Sequence, residues 1–287
     1  MRYAFIRTQE RTHQVARLCA ALAVSRSGYY AWRDRPVSAR AADDQRLLPI
    51  LRHLHQQARE EYGAIKLWRA LKQSGVRCGR HRVARLRTLA GLEAKRVRRF
   101  RVSVAHHHLP PPAPNVLQQR FVTTALNRVW VGDFTMVATR AGWLYVAVLL
   151  DLYSRRVIGW AMSHTPDQQL TLDALAMATR QRRVAPGLIH HSDQGAQYSC
   201  LAYQRPLTTL GVTPSMSRKD NCYDNAVAES FFSTLKNECV HHQTYQTRDD
   251  ASRDIFAYIE GFYNRQRLHQ SLDYLSPLDF ERQISDP

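Results

Sequence analysis

The sequence has few of the features that define secreted, membrane-embedded or zinc-binding proteins. Its five cysteines are scattered and include no Cys-x-x-Cys pair, which argues against a disulfide framework and against a cysteine zinc site. No run of about 18 apolar residues occurs, and no apolar stretch typical of a signal peptide follows the first residues. We therefore expect a soluble, intracellular protein with a cytoplasmic location.

Acidic residues are scarce in the first third of the chain. Residues 1–101 hold 24 Lys and Arg but 7 Asp and Glu, whereas residues 102–287 hold 17 of each kind. The whole formal net charge of +17 therefore lies in the first third. This asymmetry favours a front that binds nucleic acid, joined to a balanced rear domain. A solubilising basic tail is disfavoured because the segment has aliphatic and aromatic periodicity.

Helical spacing divides this front into two predicted modules, residues 1–40 and 41–101. In the first, two short helices around a tight turn, the second capped by Ser25, are typical of a helix-turn-helix, with a plain helical hairpin as the alternative. The second module is basic and helical, and its cations would position DNA through phosphates. The expected DNA contacts are Arg26, Tyr29, Arg80, Arg82, Arg85, Lys95, Arg96, Arg98 and Arg99.

Strand patterns replace helices after a Pro- and His-rich linker predicted at 102–122. The order β-β-β-α-β-α-β-α predicts a catalytic core at 123–245, and a helical extension follows at 246–287. Asp133 lies inside the first strand and Asp193 directly after the fourth. This order is that of the ribonuclease-H-like fold. The predicted fold class is therefore α/β, a mixed-sheet core preceded by an all-α DNA-binding region.

Three carboxylates carry the predicted chemistry. Strands one and four are neighbours in this fold, so Asp133 and Asp193 are expected to converge, and Glu229 on the last core helix completes the set. Two Mg²⁺ (or Mn²⁺) ions about 3.5–4 Å apart activate an attacking hydroxyl or water and stabilise the leaving oxygen of a phosphodiester. Because Mg²⁺ prefers hard oxygen ligands, the three residues are predicted to be both catalytic and metal-binding. Lys236, seven residues after Glu229, returns to nearly the same helix face, where it either holds DNA or belongs to an ordinary solvated face.

Other polar residues near these positions receive structural interpretations. Asp151 is expected to pair with Arg155 or Arg156, and Asp224 is expected to cap the last core helix. His190 and His191 are expected to flank the site without acting as acid or base, because two-metal chemistry needs no histidine.

Four motifs resemble the orfB transposases of the IS-three group of bacterial insertion sequences, which are similar to retroviral integrases. They are Trp-x-x-Asp-Phe-Thr at 130–135, Asp-Leu-Tyr-Ser-Arg-Arg-Val-Ile-Gly-Trp at 151–160, His-Ser-Asp-Gln-Gly-Ala-Gln-Tyr at 191–198 and Asp-Asn-Ala-Val-Ala-Glu-Ser-Phe-Phe at 224–232. A fifth, Tyr-Asn-x-x-Arg-x-His at 263–269, also matches. The resemblance implies that Asp133, Asp193 and Glu229 are a metal-binding triad and that Asn225 and Lys236 support DNA.

The resemblance also implies partners. These are double-stranded DNA, as the element's terminal inverted repeats and as target, a second copy of the chain in a synaptic complex, and an upstream-frame protein. Gln194, Asp220 and Asp273 depart from the residues usual in the family, which are Arg, Gly and Gly. The rival functions are a DNA-binding repressor with an inert rear fold and a nuclease that cuts without joining.

Overall fold

The computed structural model describes residues 1–95, 112–218 and 222–285. Of the predicted DNA contacts, Arg96, Arg98 and Arg99 lie outside the described residues, as does Asp220. The helices of the front are α1 (Arg2–Gln9), α2 (Val15–Ala21), α3 (Arg26–Arg33), α4 (Ala39–Gln57), α5 (Ala64–Gln73) and α6 (Arg80–Leu89).

The predicted helix-turn-helix corresponds to α2 and α3. The Ser25 side chain accepts the Gly28 N–H at 3.0 Å, which confirms the expected cap. Helix α1 was not predicted, although its Ile6 forms a small core with Cys19 and Tyr29. The prediction that Tyr29 contacts DNA is therefore wrong. Its ring is fully buried and its hydroxyl bonds to Glu10, so it is unavailable to DNA.

A five-stranded sheet follows in the order β3-β2-β1-β4-β5. Strand β1 pairs antiparallel with β2 and parallel with β4, so the sheet is mixed. This strand order confirms the ribonuclease-H-like fold class. The strands are β1 (Val129–Thr139), β2 (Gly142–Asp151), β3 (Val157–Ser163), β4 (Ile189–Ser192) and β5 (Thr213–Met216).

Helices cover both faces of the sheet. On one face, α7 lies so close to β3 that a Cβ on Gly159 would approach the Ala174 carbonyl oxygen to 2.2 Å. The other face packs against α10 and α11, and its apolar cluster continues into the second helical module of the front. The helices of the rear are α7 (Gln168–Gln181), α8 (Ala196–Ser199), α9 (Leu201–Thr209), α10 (Ala226–Glu238), α11 (Arg248–Phe256) and α12 (Pro277–Ser285), with a π-helix at Ala257–Tyr263.

The second module is attached to the end of the chain by the Tyr62 side chain. Its hydroxyl accepts the Leu268 N–H at 2.9 Å and donates to the Gln266 carbonyl at 3.3 Å. Asp273 lies nearby with φ +50°, a left-handed conformation that explains why glycine is usual there. These contacts link the front to the motif at 263–269.

No helix in the described ranges combines the length and the apolar character needed to cross a membrane.

Glu61 should make stability depend on pH at this junction. Burial and the Glu238 charge raise the pKa of Glu61 from 4.5 to about 7. A raised carboxyl pKa contributes stability below about pH 4.5 that is lost as the pH rises through 7. We expect Glu61→Gln to stabilise the protein at pH 8, by up to about 3 kcal/mol, and to change little at pH 4.

Urea titrations at the two pH values measure this effect. Glu60→Gln is the matched control, since the neighbouring Glu60 has a side chain that is 43% exposed and pairs with Lys95. Equal unfolding free energies for Glu61→Gln and the unmodified chain at pH 8 would contradict the assignment.

Candidate active site

Asp133 and Asp193 are brought together by the pairing of β1 with β4. The parallel register aligns Val129 with Ile189 and Val131 with His191. If this register is continued by two residues along both strands, Asp133 is aligned with Asp193. Adjacent strands lie about 4.8 Å apart, so the expected convergence follows from the sheet itself.

The backbone around each aspartate orients its carboxylate. Asp133 Oδ1 accepts the Phe134 N–H at 2.8 Å. Asp193 follows the last residue of β4, and its Oδ1 accepts the Gly195 N–H at 3.0 Å. A Cβ on Gly195 would lie 2.9 Å from that oxygen, so glycine permits the tight turn.

Glu229 lies in the first turn of α10 and lines a cleft with Asp133. The cleft has a volume of 450 Å³, and Ser233 and Lys236 line it on the same helix. The predicted helix stripe therefore does face the first strand.

Charge repulsion is built into this cleft. Burial, followed by the charges of Asp193 and Glu229, raises the pKa of Asp133 well above its usual range. Lys236 acts in the opposite sense on Asp133, while burial lowers the pKa of Lys236 itself. The charges of the other two predicted catalytic carboxylates thus act on Asp133, and one ammonium group partly offsets them.

Asn225 does not have the position expected of a DNA contact. It is 4% exposed, and its Nδ2 donates to the Gly132 carbonyl at 3.3 Å. Burial removes it from the surface that DNA could touch. Its amide instead ties the start of α10 to β1, immediately beside Asp133.

Asp224 and Asp151 also differ from expectation. Asp224 does not cap α10, because its carboxylate is fully buried and accepts bonds from Arg218, Asn115 and Gln119. Asp151 pairs with neither Arg155 nor Arg156. It accepts three backbone N–H groups, from residues 127, 153 and 154, at 2.7–3.1 Å.

Buried hydrogen bonds hold His190 and His191 beside the site, as expected for the two histidines. His190 bonds to the Tyr203 hydroxyl at 2.9 Å, and burial lowers the pKa of His190 to about 4. His191 bonds to Ser215 at 2.9 Å. Gly132 admits the His190 ring, whose Nε2 would lie 3.1 Å from an added Cβ.

Sequence reasoning missed Tyr198, although it ends one of the motifs. Its ring is fully buried, and within the described part of the chain its hydroxyl has no hydrogen-bond partner. The charges of Asp133 and Asp193 act on this hydroxyl. The signal available in the sequence was a polar aromatic residue five positions after Asp193.

The predicted DNA contacts of the front fall into two classes. Arg26 and Arg80 are exposed at the first positions of α3 and α6. Arg82 is instead held by Asp43 and Asp44 at 2.8 and 2.7 Å, which corrects its expected role. Arg85 pairs with Asp44 and Lys95 with Glu60, although both stay partly exposed.

No group of three or more His, Cys, Asp or Glu side chains is arranged to hold a metal ion among residues 1–95, 112–218 and 222–285. The three predicted ligands thus interact through charge without forming a ready-made cage.

Comparisons with known proteins cover nearly the whole chain. Two family models described as "Integrase core domain" match residues 123–222 and 229–284, and one described as "HTH-like domain" matches residues 42–100. The chain is 46% identical over 263 residues to the "Insertion element IS600 uncharacterized 31 kDa protein" of Shigella sonnei, covering 92% of this chain and 97% of that one. It is 38% identical over 283 residues to "Transposase InsF for insertion sequence IS3A" of Escherichia coli strain K12, covering 98% of each.

Solved structures give weaker likenesses. The catalytic core domain of HTLV-2 integrase with magnesium aligns at 16% identity and a TM-score of 0.38, covering 51% of this chain and 92% of that one. A simian T-cell lymphotropic virus intasome bound to PP2A regulatory subunit B56 gamma aligns at 15% identity and a TM-score of 0.41, covering 70% and 66%. TM-scores of this size carry no argument about function.

Removing the Asp133 charge should stabilise the metal-free protein. The pKa of this carboxyl is raised, so its charge costs folding free energy at neutral pH and costs nothing once the group is protonated in both states. We expect Asp133→Asn to raise the melting temperature at pH 8, by about 2–4 °C for each kcal/mol of relieved repulsion, and to have little effect in strong acid.

Asp151→Asn is the matched control. Burial also raises the pKa of the Asp151 carboxyl, but that carboxylate accepts three backbone N–H groups, so the substitution leaves buried donors without an acceptor and should lower the melting temperature. Scanning calorimetry without divalent ions measures both variants. A lower melting temperature for Asp133→Asn at pH 8 would refute the repulsion.

Proposed function

We propose that this chain, which belongs to the transposases of the IS3 group of bacterial insertion sequences, cuts and joins DNA strands with Asp133, Asp193 and Glu229. The observation that carries this assignment is that the charges of Asp193 and Glu229 both act on Asp133, which lines one cleft together with Glu229. Carboxylate oxygens facing an open cleft suit metal-dependent phosphodiester chemistry.

The donor set supports divalent ions, Mg²⁺ or Mn²⁺, at this position. Mg²⁺ is usually held by one or two carboxylates, with water and substrate phosphate completing its shell, so a closed cage is not required. The buried Tyr198 hydroxyl offers an independent indication. A buried polar group without a partner costs free energy, and the charges of Asp133 and Asp193 act on this hydroxyl, so polar groups bound at these carboxylates would offset that cost. We propose two ions, held by Asp133, Asp193 and Glu229.

Bound ions would supply a nucleophilic hydroxyl and stabilise the leaving 3′-oxygen. The chain's own residues prepare the geometry. Asn225 ties α10 to β1 and so sets the position of Glu229 relative to Asp133. Lys236 lines the same cleft, where its ammonium group is positioned to contact a phosphate of the strand being cut.

DNA is the partner of both parts of the chain. We propose that the basic front binds the terminal inverted repeats of the element and that the cleft also receives target DNA. Joining two ends needs two active sites, so a homo-oligomeric synaptic complex is proposed, along with an upstream-frame protein. Exposed Arg26 and Arg80 mark the front surface that would meet phosphates.

One variant should lose DNA cutting and joining but still bind DNA. Asp133→Asn removes a proposed metal ligand but leaves the front untouched, so cutting and joining should fall at least a thousandfold while DNA retention persists. The assay incubates the protein with Mg²⁺ or Mn²⁺ and a labelled end of its own element. Asp249→Asn, an exposed carboxylate on α11, is the control and should keep full activity.

The product pattern decides between the rival functions. Joined strands support the transposase, nicks alone support the nuclease, and retention without cutting supports the repressor. Full activity of Asp133→Asn would refute the assignment of the triad.

Arg80 and Arg82 should respond differently to substitution. Arg80 is exposed at the start of α6, so Arg80→Gln should weaken DNA binding several-fold and reduce the salt slope by about 0.9, with stability unchanged. Arg82→Gln should instead lower stability, because it breaks pairs with Asp43 and Asp44. Anisotropy titrations at several salt concentrations, with melting curves, measure both. The reverse pattern would contradict the interpretation of this surface.

A further inference from the structure

A second cavity flanks α10 beside the acidic cleft. It has a volume of 340 Å³, and Ala226, Ser230 and Thr234 form a ridge that lines both spaces. The chemistry changes across this ridge. Where the cleft presents carboxylates, the second cavity is here called the basic cavity. Its polar and basic lining residues are Arg155, Arg267, His269, Ser230, Thr234 and Ser271, and Leu150, Val227, Phe231 and Tyr263 supply the rest of its wall.

Arg155 is held in place by its backbone while its side chain lines the basic cavity. Its N–H donates to the Asp151 carbonyl at 2.9 Å, and its own carbonyl accepts the Tyr263 hydroxyl at 3.1 Å. Its φ of +60° is a strained conformation that these contacts sustain. Val157 lies two residues after Arg155, and both its N–H and its carbonyl bond to the Asn264 side chain at 3.0 Å. The turn that carries Arg155 is therefore rigid.

The Arg155 guanidinium lacks an ion-pair partner within the described residues. Its neighbour Arg156 pairs with Glu281 at 2.7 Å, so the two adjacent arginines differ in this respect. A partly buried cation is costly unless it is paired, and a guanidinium presents donors in a planar fork that suits phosphate. The Arg155 guanidinium therefore has hydrogen-bond donors available to an anion.

Two further basic side chains, Arg267 and His269, line the basic cavity. Arg267 pairs with Glu238 at 2.7 Å and donates to His269 at 3.3 Å. Burial, and then the charges of Arg267, Lys66 and Arg155, lower the pKa of His269 well below its usual range. Glu238 thus neutralises Arg267, whereas Asp151 is the carboxylate whose charge acts on Arg155 without forming an ion pair with it.

We propose that the basic cavity binds a backbone phosphate of the DNA strand whose neighbouring phosphate occupies the acidic cleft. Arg155 would supply the paired donors, and the hydroxyls of Ser230, Thr234 and Ser271 would complete the contacts. The ridge of small residues lets the strand cross α10 closely. The inference rests on the proposed function, since it assumes that DNA is the substrate of the adjacent cleft.

The test compares Arg155→Gln with Arg156→Gln on a duplex oligonucleotide that carries an element end. Binding is measured by anisotropy in EDTA at several salt concentrations, so that chemistry does not contribute. Arg155→Gln should weaken binding about tenfold and reduce the salt slope by about 0.9. Arg156→Gln should retain the affinity and the slope but lower the melting temperature, because it breaks the pair with Glu281.

Neutral methylphosphonate linkages, placed one at a time around the cleavage position, locate the phosphate. One position should weaken binding to the unmodified protein and have no further effect on Arg155→Gln. Unchanged affinity of Arg155→Gln, or an equal methylphosphonate penalty in both proteins, would overturn the proposal. So would stabilisation by inorganic phosphate that depends on Arg155 without any change in DNA affinity, since the cavity would then take the free anion.

The experiments distinguish an error in the proposed phosphate site from an error in the proposed function. If the unmodified protein cuts the element end in Mg²⁺ while Arg155→Gln binds normally, the phosphate site alone is wrong. If no cutting occurs in Mg²⁺ but Arg155→Gln loses the position-specific contact, the enzymatic assignment is wrong and the phosphate site stands.

Discussion

The parallel pairing of β1 with β4 is the constraint on which the site depends. It places Asp133, in the middle strand of the sheet, in one register with Asp193 at the end of β4, and burial and like charge raise the pKa of Asp133. Folding must offset that repulsion. The apolar cluster around the strands does so, and the Asn225 amide locks α10 against the Gly132 carbonyl next to the repelling pair. The candidate active site thus combines like-charge repulsion with backbone and helix contacts that fix its position.

Helix α10 separates two regions of opposite charge. Glu229 and Lys236 line its acidic side, while Arg155 and Arg267 line the cavity across the ridge. A strand of nucleic acid has the charge pattern that suits this arrangement, because one phosphate can be neutralised by metal ions and the next by arginine. The same helix therefore serves both regions, and a small shift of it would disturb both.

The fold could be predicted because local patterns in the sequence indicate its elements. Short apolar runs bounded by turn residues indicated β1 and β2, and helical spacing indicated α10, so Asp133 and Glu229 could be placed on their elements. Partners distant in sequence were beyond such reasoning. Asp224 meets Asn115 and Gln119 more than a hundred residues away, and Tyr29 packs against α1, whose short and weakly patterned sequence gave no clear helical signal. Sequence spacing places a residue on an element but does not say which distant group meets it.

The residues of the motif at 263–269 connect distant parts of the fold. Tyr263 and Asn264 fasten the turn at Arg155, Arg267 pairs with Glu238 on α10, and the Leu268 N–H bonds to Tyr62 in the front. The apolar cluster beneath the sheet also extends into α4, α5 and α6. Deleting residues 1–101 would therefore uncover core surface as well as remove positive charge. Loss of DNA binding after that deletion could not be assigned to charge alone, whereas substitution of single exposed arginines keeps the two effects apart.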